Sequence, residues 1–237
     1  MHLYKFKPAT QLLHLLDIAI HERLFCQQYS ELNDPFEGQF RTLSAQALVM
    51  HPSGTFWMPL KDAKGWPIAE TERRMQYLGI EKLPVIGATR VCSLSSDYQD
   101  VRMWSLYADS HQGVVIEIDF TGIEDQARQV RYLDDLPKSG MTILAGASTE
   151  EVLSCKTKHW EYEKEYRILG KSPYFEIPNK ISRVILGIRA KPELEELLKK
   201  ILRPEVTIVR AELDYEATRV RSGRIVRQAA ASIADDG

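Results

Sequence analysis

The chain carries little that would tie it to a membrane, a metal or a nucleic acid. Its cysteines, Cys26, Cys92 and Cys155, are odd in number and widely spaced, with no CxxC pair. That excludes a disulfide framework and a cysteine-rich zinc site. The histidines stand at positions 2, 14, 21, 51, 111 and 159, none in HExxH spacing, and no metal is expected. Net charge is almost absent: 31 basic against 33 acidic side chains leave -2. A general electrostatic grip on nucleic acid is therefore not expected, although a local basic patch is compatible with it. No apolar run approaches the roughly 18 residues needed to span a bilayer. The opening MHLYKFKPAT has no h-region of a signal peptide. The P-loop, GxGxxG and GxSxG patterns are missing too, which argues against a P-loop NTPase, a Rossmann dehydrogenase and an α/β-hydrolase. These absences predict a cytoplasmic protein with no membrane partner.

What is present suits a folded domain. Of 237 residues, 44% are hydrophobic and 9% aromatic, enough for a sizeable core. No Pro/Ser-rich linker divides the chain, so one domain is expected over 1–237, with its core at about 3–213. Residues 51–70 are rich in proline and glycine yet carry Phe56, Trp57 and Trp66, which reads as an irregular insertion or lid rather than a linker. The tail 228–237 is expected to fray.

Periodicity places the elements. Alternation predicts strands at 3–6, 23–26, 88–95, 129–133, 165–171, 183–188 and 207–213, and VVIEIDF at 114–120 is the strongest. Helical spacing predicts helices after Thr10, at 70–80, at 100–111 behind Asp100, at 148–160, and from Pro192. Thr121 and Glu124 have capping-box spacing. Strands and helices do not alternate as βαβ units. The expected class is α+β, a single domain with a mostly antiparallel or mixed, possibly split, sheet flanked by helices.

Four segments carry chemistry. Asn33-Asp34-Pro35-Phe36-Glu37-Gly38 packs two carboxylates and an amide around a turn. It reads either as an Asx-turn or as a ligand-facing loop held by a buried Phe36. Ser93 and Ser95 share one strand face, and Trp104 and Tyr107 share one helix face. Trp104 reads as core, and Tyr107 as an aromatic edge for a planar ligand. His111 reads as a helix-end residue matched in charge to the dipole. In Trp160 to Arg167, carboxylates alternate with tyrosines, so a strand there would put Glu161, Glu163, Glu165 and Arg167 on one face. Arg167 and Lys156 are natural partners for the acids. The segment is either a solvated edge or a carboxylate held for chemistry. Arg219, Arg221, Arg224 and Arg227 read as a solvated face, with an acidic or phosphate partner as the alternative.

LYKF, NDPFEG, CSLS with MWSLYADSHQGVVIEID, and K-x3-W-x-YE-x-E-x-R, in this order, resemble a bacterial family known as domain of unknown function 2971. The arrangement is also similar to the ADP-ribosyltransferase superfamily, whose members bind NAD in a split, mostly antiparallel sheet. There an aromatic or basic residue on the first strand, a hydroxyl residue mid-chain and a late-strand glutamate line the site. The resemblance implies NAD as substrate and Tyr4 or Lys5 in the first role. It implies Ser93 or Ser95 in the second and Glu165, with Glu163 two residues before it, in the third. Asn33 and Arg167 would hold ribose or diphosphate, Asp34 and Phe36 would line the pocket with the rest of their loop, and Tyr4, Trp104 and Tyr107 would supply aromatic surface. This implies an ADP-ribosyltransferase or glycohydrolase in toxin, defence or stress response, with a protein or nucleic-acid acceptor. Two other readings remain: a non-enzymatic nucleotide- or partner-binding module, and a metal-dependent nuclease using Asp34, Glu37, Glu163 and Glu165.

Overall fold

A computed structural model describes residues 1–42, 79–82, 89–139 and 149–230. The segment 51–70, most of the expected helix 70–80 and the end of the tail 228–237 lie outside them.

The strands run in chain order: β1 His2–Lys7, β2 Arg23–Phe25, β3 Gln27–Gln28, β4 Gln39–Thr42, β5 Gly79–Lys82, β6 Arg90–Ser95, β7 Val114–Asp119 and β8 Arg128–Gln129. They continue with β9 Arg131–Leu133, β10 Lys138–Ser139, β11 Cys155–Thr157, β12 Glu165–Gly170, β13 Tyr174–Glu176, β14 Ile181–Leu186, β15 Thr207–Asp214 and β16 Arg219–Arg227. The α-helices are α1 Leu12–His21, α2 Val101–Tyr107, α3 Thr149–Val152 and α4 Pro192–Ile201. The class is α+β around a large mixed sheet of order β16-β15-β14-β7-β1-β6-β12-β8, with β3 added on β6. Neighbours are antiparallel except β14 and β15, whose parallel pairing needs the crossover that α4 supplies.

Alternation explains the two cores. Leu3, Leu94, Ile116, Ile118, Val184 and Ile208 face one side, against Leu15, Ile18 and Leu198 of α1 and α4. Phe6, Val115, Ile185 and Val209 face the other, against Met103 and Trp104 of α2. Both faces of the middle strands are therefore covered, which is why β7 reads as a nearly continuous apolar run.

The sheet is split beside β1. Strand β1 pairs with β7 along its whole length, from His2↔Asp119 to Lys7↔Val114. Its pairing with β6 is the single pair Tyr4↔Ser95. The far end of β6 pairs instead with β3, at Gln27↔Val91 and Gln28↔Arg90. Between these anchors the strands part, and the Lys5 ammonium crosses the gap to the Ser93 carbonyl at 2.7 Å.

Several local expectations are corrected. Helix α1 starts after Gln11, which makes no side-chain cap bond, so the Thr10 hydroxyl is one residue out of capping position. The Thr121 hydroxyl is spent on Asp119 at 2.6 Å, and the 3-10 turn Glu124–Gln126 begins after an Ile123 without a cap bond. The expected helix 148–160 stops at Val152. Cys155–Thr157 then pairs in parallel with β9, and a 3-10 turn covers Lys158–Glu163; strand pairing overrides local propensity. The four late arginines lie on or at the end of an unexpected edge strand, β16. Arg227 there donates to the carbonyls of Lys199 (3.0 Å), Leu202 (3.2 Å), Arg203 (2.6 Å) and Val206 (2.9 Å), closing the C-terminal end of α4.

Candidate functional site

The parting of β1 and β6 opens a cleft of about 290 Å³, near the low end of the roughly 300–1,000 Å³ usual for small-molecule sites. Tyr4, Lys5, Asn33, Ser93, Ser95, Tyr107, Glu163 and Glu165 all border it. Register explains part of this convergence. Glu165 lies opposite Ser95 and Arg167 opposite Ser93 across β6 and β12. Tyr4 closes the other edge of β6.

A polar chain forms one end of the cleft, exposed at Asn33 and buried at Glu163 and Lys156. Asn33 donates to the Tyr107 hydroxyl at 2.7 Å, and that hydroxyl donates to Glu163 Oε1 at 2.5 Å. The Lys156 ammonium sits between two carboxylates, 2.5 Å from Glu163 Oε2 and 2.9 Å from Glu165 Oε2. Glu163 is not on a strand with Glu165. It ends the 3-10 turn, and Lys164, in the left-handed region at φ 43°, turns the chain into β12. The expected shared strand face of Glu161, Glu163 and Glu165 is thereby corrected: a lysine brings Glu163 and Glu165 together.

Arg167 anchors the floor. Its residue is 1% exposed. Its Nε reaches Glu165 Oε1 at 2.8 Å, Nη1 reaches Glu37 Oε1 and the Leu153 carbonyl at 2.6 Å each, and Nη2 reaches Glu37 Oε2 at 2.8 Å and Glu165 Oε2 at 3.1 Å. All its donor groups are occupied within the chain, and the residue does not border the cleft. The expectation that Arg167 holds ribose or diphosphate gives way to a structural clamp.

The Asn33–Gly38 loop follows from that clamp. Asp34 Oδ1 accepts from the Phe36 backbone N–H at 2.9 Å, an Asx-turn. Phe36 is 51% exposed, so the expected buried anchor is not Phe36. Glu37, bound to Arg167 through both oxygens, holds the loop. Gly38 has φ +73°, and a Cβ there would lie 2.7 Å from the Tyr29 ring, so only glycine fits. Asp34 and Phe36 do not border the cleft. Trp104 does not either: it is fully buried, packs edge-on against Phe6 at 5.7 Å, and donates from Nε1 to the Tyr98 carbonyl at 2.5 Å. The His111 ring lies parallel to Trp104 at 6.0 Å, and burial, then Arg189, lowers its pKa. That disfavours the charged form expected to match the helix end.

Electrostatics separate the two acids. Burial alone would raise Glu165, but Arg167 and then Lys156 outweigh it and hold its carboxyl at about 2. The Ser93 hydroxyl adds to this lowering. Burial raises Glu163; Lys156 opposes this and the Glu165 charge adds to it, leaving Glu163 above its ordinary value. The Tyr107 phenol is pushed up by burial and by Glu163, and Tyr4 is pushed up to about 12 by burial and then by Glu117. One carboxylate is held ionised, and burial disfavours the charged form of its neighbour. No group of three or more His, Cys, Asp or Glu side chains suited to a metal ion occurs among the described residues. Of the four acids named for a metal, Glu37, Glu163 and Glu165 already face Arg167 or Lys156.

Sequence reasoning missed the other end of the cleft, where Lys7, Gln11, His14, Phe25 and Gln27 join Lys5. A signal was present for Lys7. It shares its strand face with Leu3 in a strand whose other face carries Tyr4 and Phe6, so it occupies a core-facing position.

Residues 103–168 match the model of a family described as "Protein of unknown function (DUF2971)". The matched stretch runs from α2 into β12 and contains Tyr107, Lys156, Glu163, Glu165 and Arg167. No curated protein and no solved structure matches the chain. No helix among the described residues is long and apolar enough to cross a membrane.

Proposed function

We propose that the cleft takes a nicotinamide dinucleotide and that the protein breaks its nicotinamide–ribose bond, as an ADP-ribosyltransferase or an NAD glycohydrolase. One observation carries this reading. The strands β1, β6 and β12 are adjacent in the sheet, so Tyr4, Ser93 and Glu165 border one cleft from three distant parts of the chain. This is the order of roles that the sequence resemblance implies.

The chemistry fits the acids. As the C1′–N bond breaks, its electron pair leaves with neutral nicotinamide and positive charge builds on the ribose. A carboxylate held ionised nearby stabilises that charge. Glu165 supplies the permanent anion. Its oxygens are already occupied by Arg167 and Lys156, so it acts on the ribose mainly through its field. Glu163, with one partner on each carboxylate oxygen, keeps lone pairs for a ribose hydroxyl or for the proton of the incoming nucleophile. Water as nucleophile gives the glycohydrolase, and a protein or nucleic-acid group gives the transferase.

Incubation with NAD labelled in its adenylate half tests this. Wild type is expected to release nicotinamide, and Glu165→Gln and Glu163→Gln to lose that release while remaining folded. The label then follows the ADP-ribose, free or on an acceptor. NAD bound but never cleaved would leave a nucleotide-binding module, a reading favoured by how fully Glu165 is occupied. Neither binding nor release would end the NAD reading.

A further inference from the structure

The end of the cleft away from the acids holds a lysine whose ammonium no described residue pairs. Lys7 keeps 7% of its surface. Among the described residues its ammonium forms no hydrogen bond or ion pair, and it is not one of those with a further unspecified contact. The charged and titratable groups facing it are Lys5 on its own strand, Cys92 on β6, and Asp17 and His14 on α1. Asp17 is committed to Arg23 at 2.8 Å. The Lys5 ammonium is held at the Ser93 carbonyl. The Cys92 thiol, beside Cys26 and next to both lysines, is pulled below its ordinary value. Even as a thiolate it offsets only one of the two ammonium charges.

A buried charge is ordinarily paired, because desolvation without a partner costs several kcal/mol. Lys7 borders a cavity rather than packed core, so an anion entering that cavity can complete it. The surroundings suit such a ligand. The His14 ring stacks on Phe25 with centroids 5.1 Å apart, and the amides of Gln11 and Gln27 border the same space. The cleft is thus bipolar, with Lys5 and Lys7 at one end and Glu163 and Glu165 at the other.

We propose that Lys7, with Lys5 beside it, forms a phosphate subsite for the diphosphate of a nucleoside diphosphate ligand whose sugar reaches toward Glu163 and Glu165. The identity of that sugar rests on the NAD reading; the phosphate chemistry does not. The assignment also replaces Arg167, whose donors are spent, as the group that holds the diphosphate.

Calorimetric titration of wild type and Lys7→Met with ADP-ribose and with inorganic pyrophosphate tests it. Methionine keeps the stem and removes the charge, and a melting curve checks its fold. Both ligands are expected to bind wild type, ADP-ribose more tightly, and Lys7→Met to weaken both by about tenfold or more, as loss of a charged hydrogen bond does. Pyrophosphate is also expected to protect Lys7 of the wild type from reductive methylation, read by mass spectrometry, which needs no variant. Failure of both ligands to bind wild type, equal binding by Lys7→Met, or unprotected Lys7 would overturn the subsite. Nicotinamide release assayed on the same preparation separates the two readings. Lys7-dependent binding without release removes the NAD chemistry and keeps the subsite; release with Lys7-independent binding does the reverse.

Discussion

Arg167 and Lys156 divide three buried carboxylates between them, and each is positioned by a different part of the chain. Arg167 clamps Glu37 of the Asn33–Gly38 loop to Glu165 of its own strand. Lys156 joins Glu165 to Glu163. Two cations against three acids leave one net negative charge at this end of the cleft. Removing one partner of such a network strands the others in a low dielectric. Arg167→Leu is accordingly expected to cost about 3–5 kcal/mol, the usual penalty for breaking a buried ion pair. A urea titration checks this; a loss below about 1 kcal/mol would show that the clamp contributes little to the fold.

At the scale of elements, the site exists because β1 is fully paired on one side and almost unpaired on the other. The turn regions that flank β7 and β14 hold this geometry tightly. Gly187 follows β14 and donates to the Gly113 carbonyl at 2.9 Å, and a Cβ on Gly187 would lie 2.1 Å from the His111 carbonyl oxygen. Backbone cannot yield there as a side chain could. Gly187→Ala is expected to lose about 1–3 kcal/mol, as overpacking does. Gly170→Ala, at the end of β12 with nothing within 4 Å of its added Cβ, should stay within about 0.5 kcal/mol of wild type. Thermal melts of the pair test this, and equal behaviour would contradict the close approach. The same scale shows why 148–160 misleads as a helix. The pairing of Cys155–Thr157 with β9 is non-local, and it is what carries Lys156 to the acids.

At the scale of the whole molecule, near-neutral charge hides opposed local fields, and pH separates them. Burial, then Lys5, lowers Lys7 to about 7. A lysine in the unfolded chain stays protonated to about 10.4, so between these values the unfolded state binds the extra proton and stability rises with pH. Cys92, Asp17 and His14 face the same ammonium. Lys7→Met should therefore be more stable than wild type at and below pH 7, with the advantage shrinking as pH climbs toward 10. Urea midpoints across that range measure it, and a constant difference would mean that Lys7 is not held by burial. Glu165 acts in the opposite sense. Its depressed carboxyl contributes stability that is present above the ordinary glutamate range and is lost as pH falls from about 4.3 toward 2. What the sequence determined by itself is what neighbours along the chain decide. The alternation behind β1 and β6, the apolar run behind β7, the Asp100 cap of α2 (2.8 Å to the Arg102 N–H) and the Pro192 start of α4 are all read from adjacent residues. The turn formers of the Asn33–Gly38 loop belong with them, and the structure chose the Asx-turn at Asp34 between the two readings they left open. Only the tertiary structure decided that Phe36 faces out while Glu37 is buried, that Arg167 is spent inside the chain, that the late arginines belong to a strand, and that Lys7 borders a cleft with no side-chain partner among the described residues. Each of these depends on a partner many residues away, and local periodicity carries no information about which distant charge will answer a buried one.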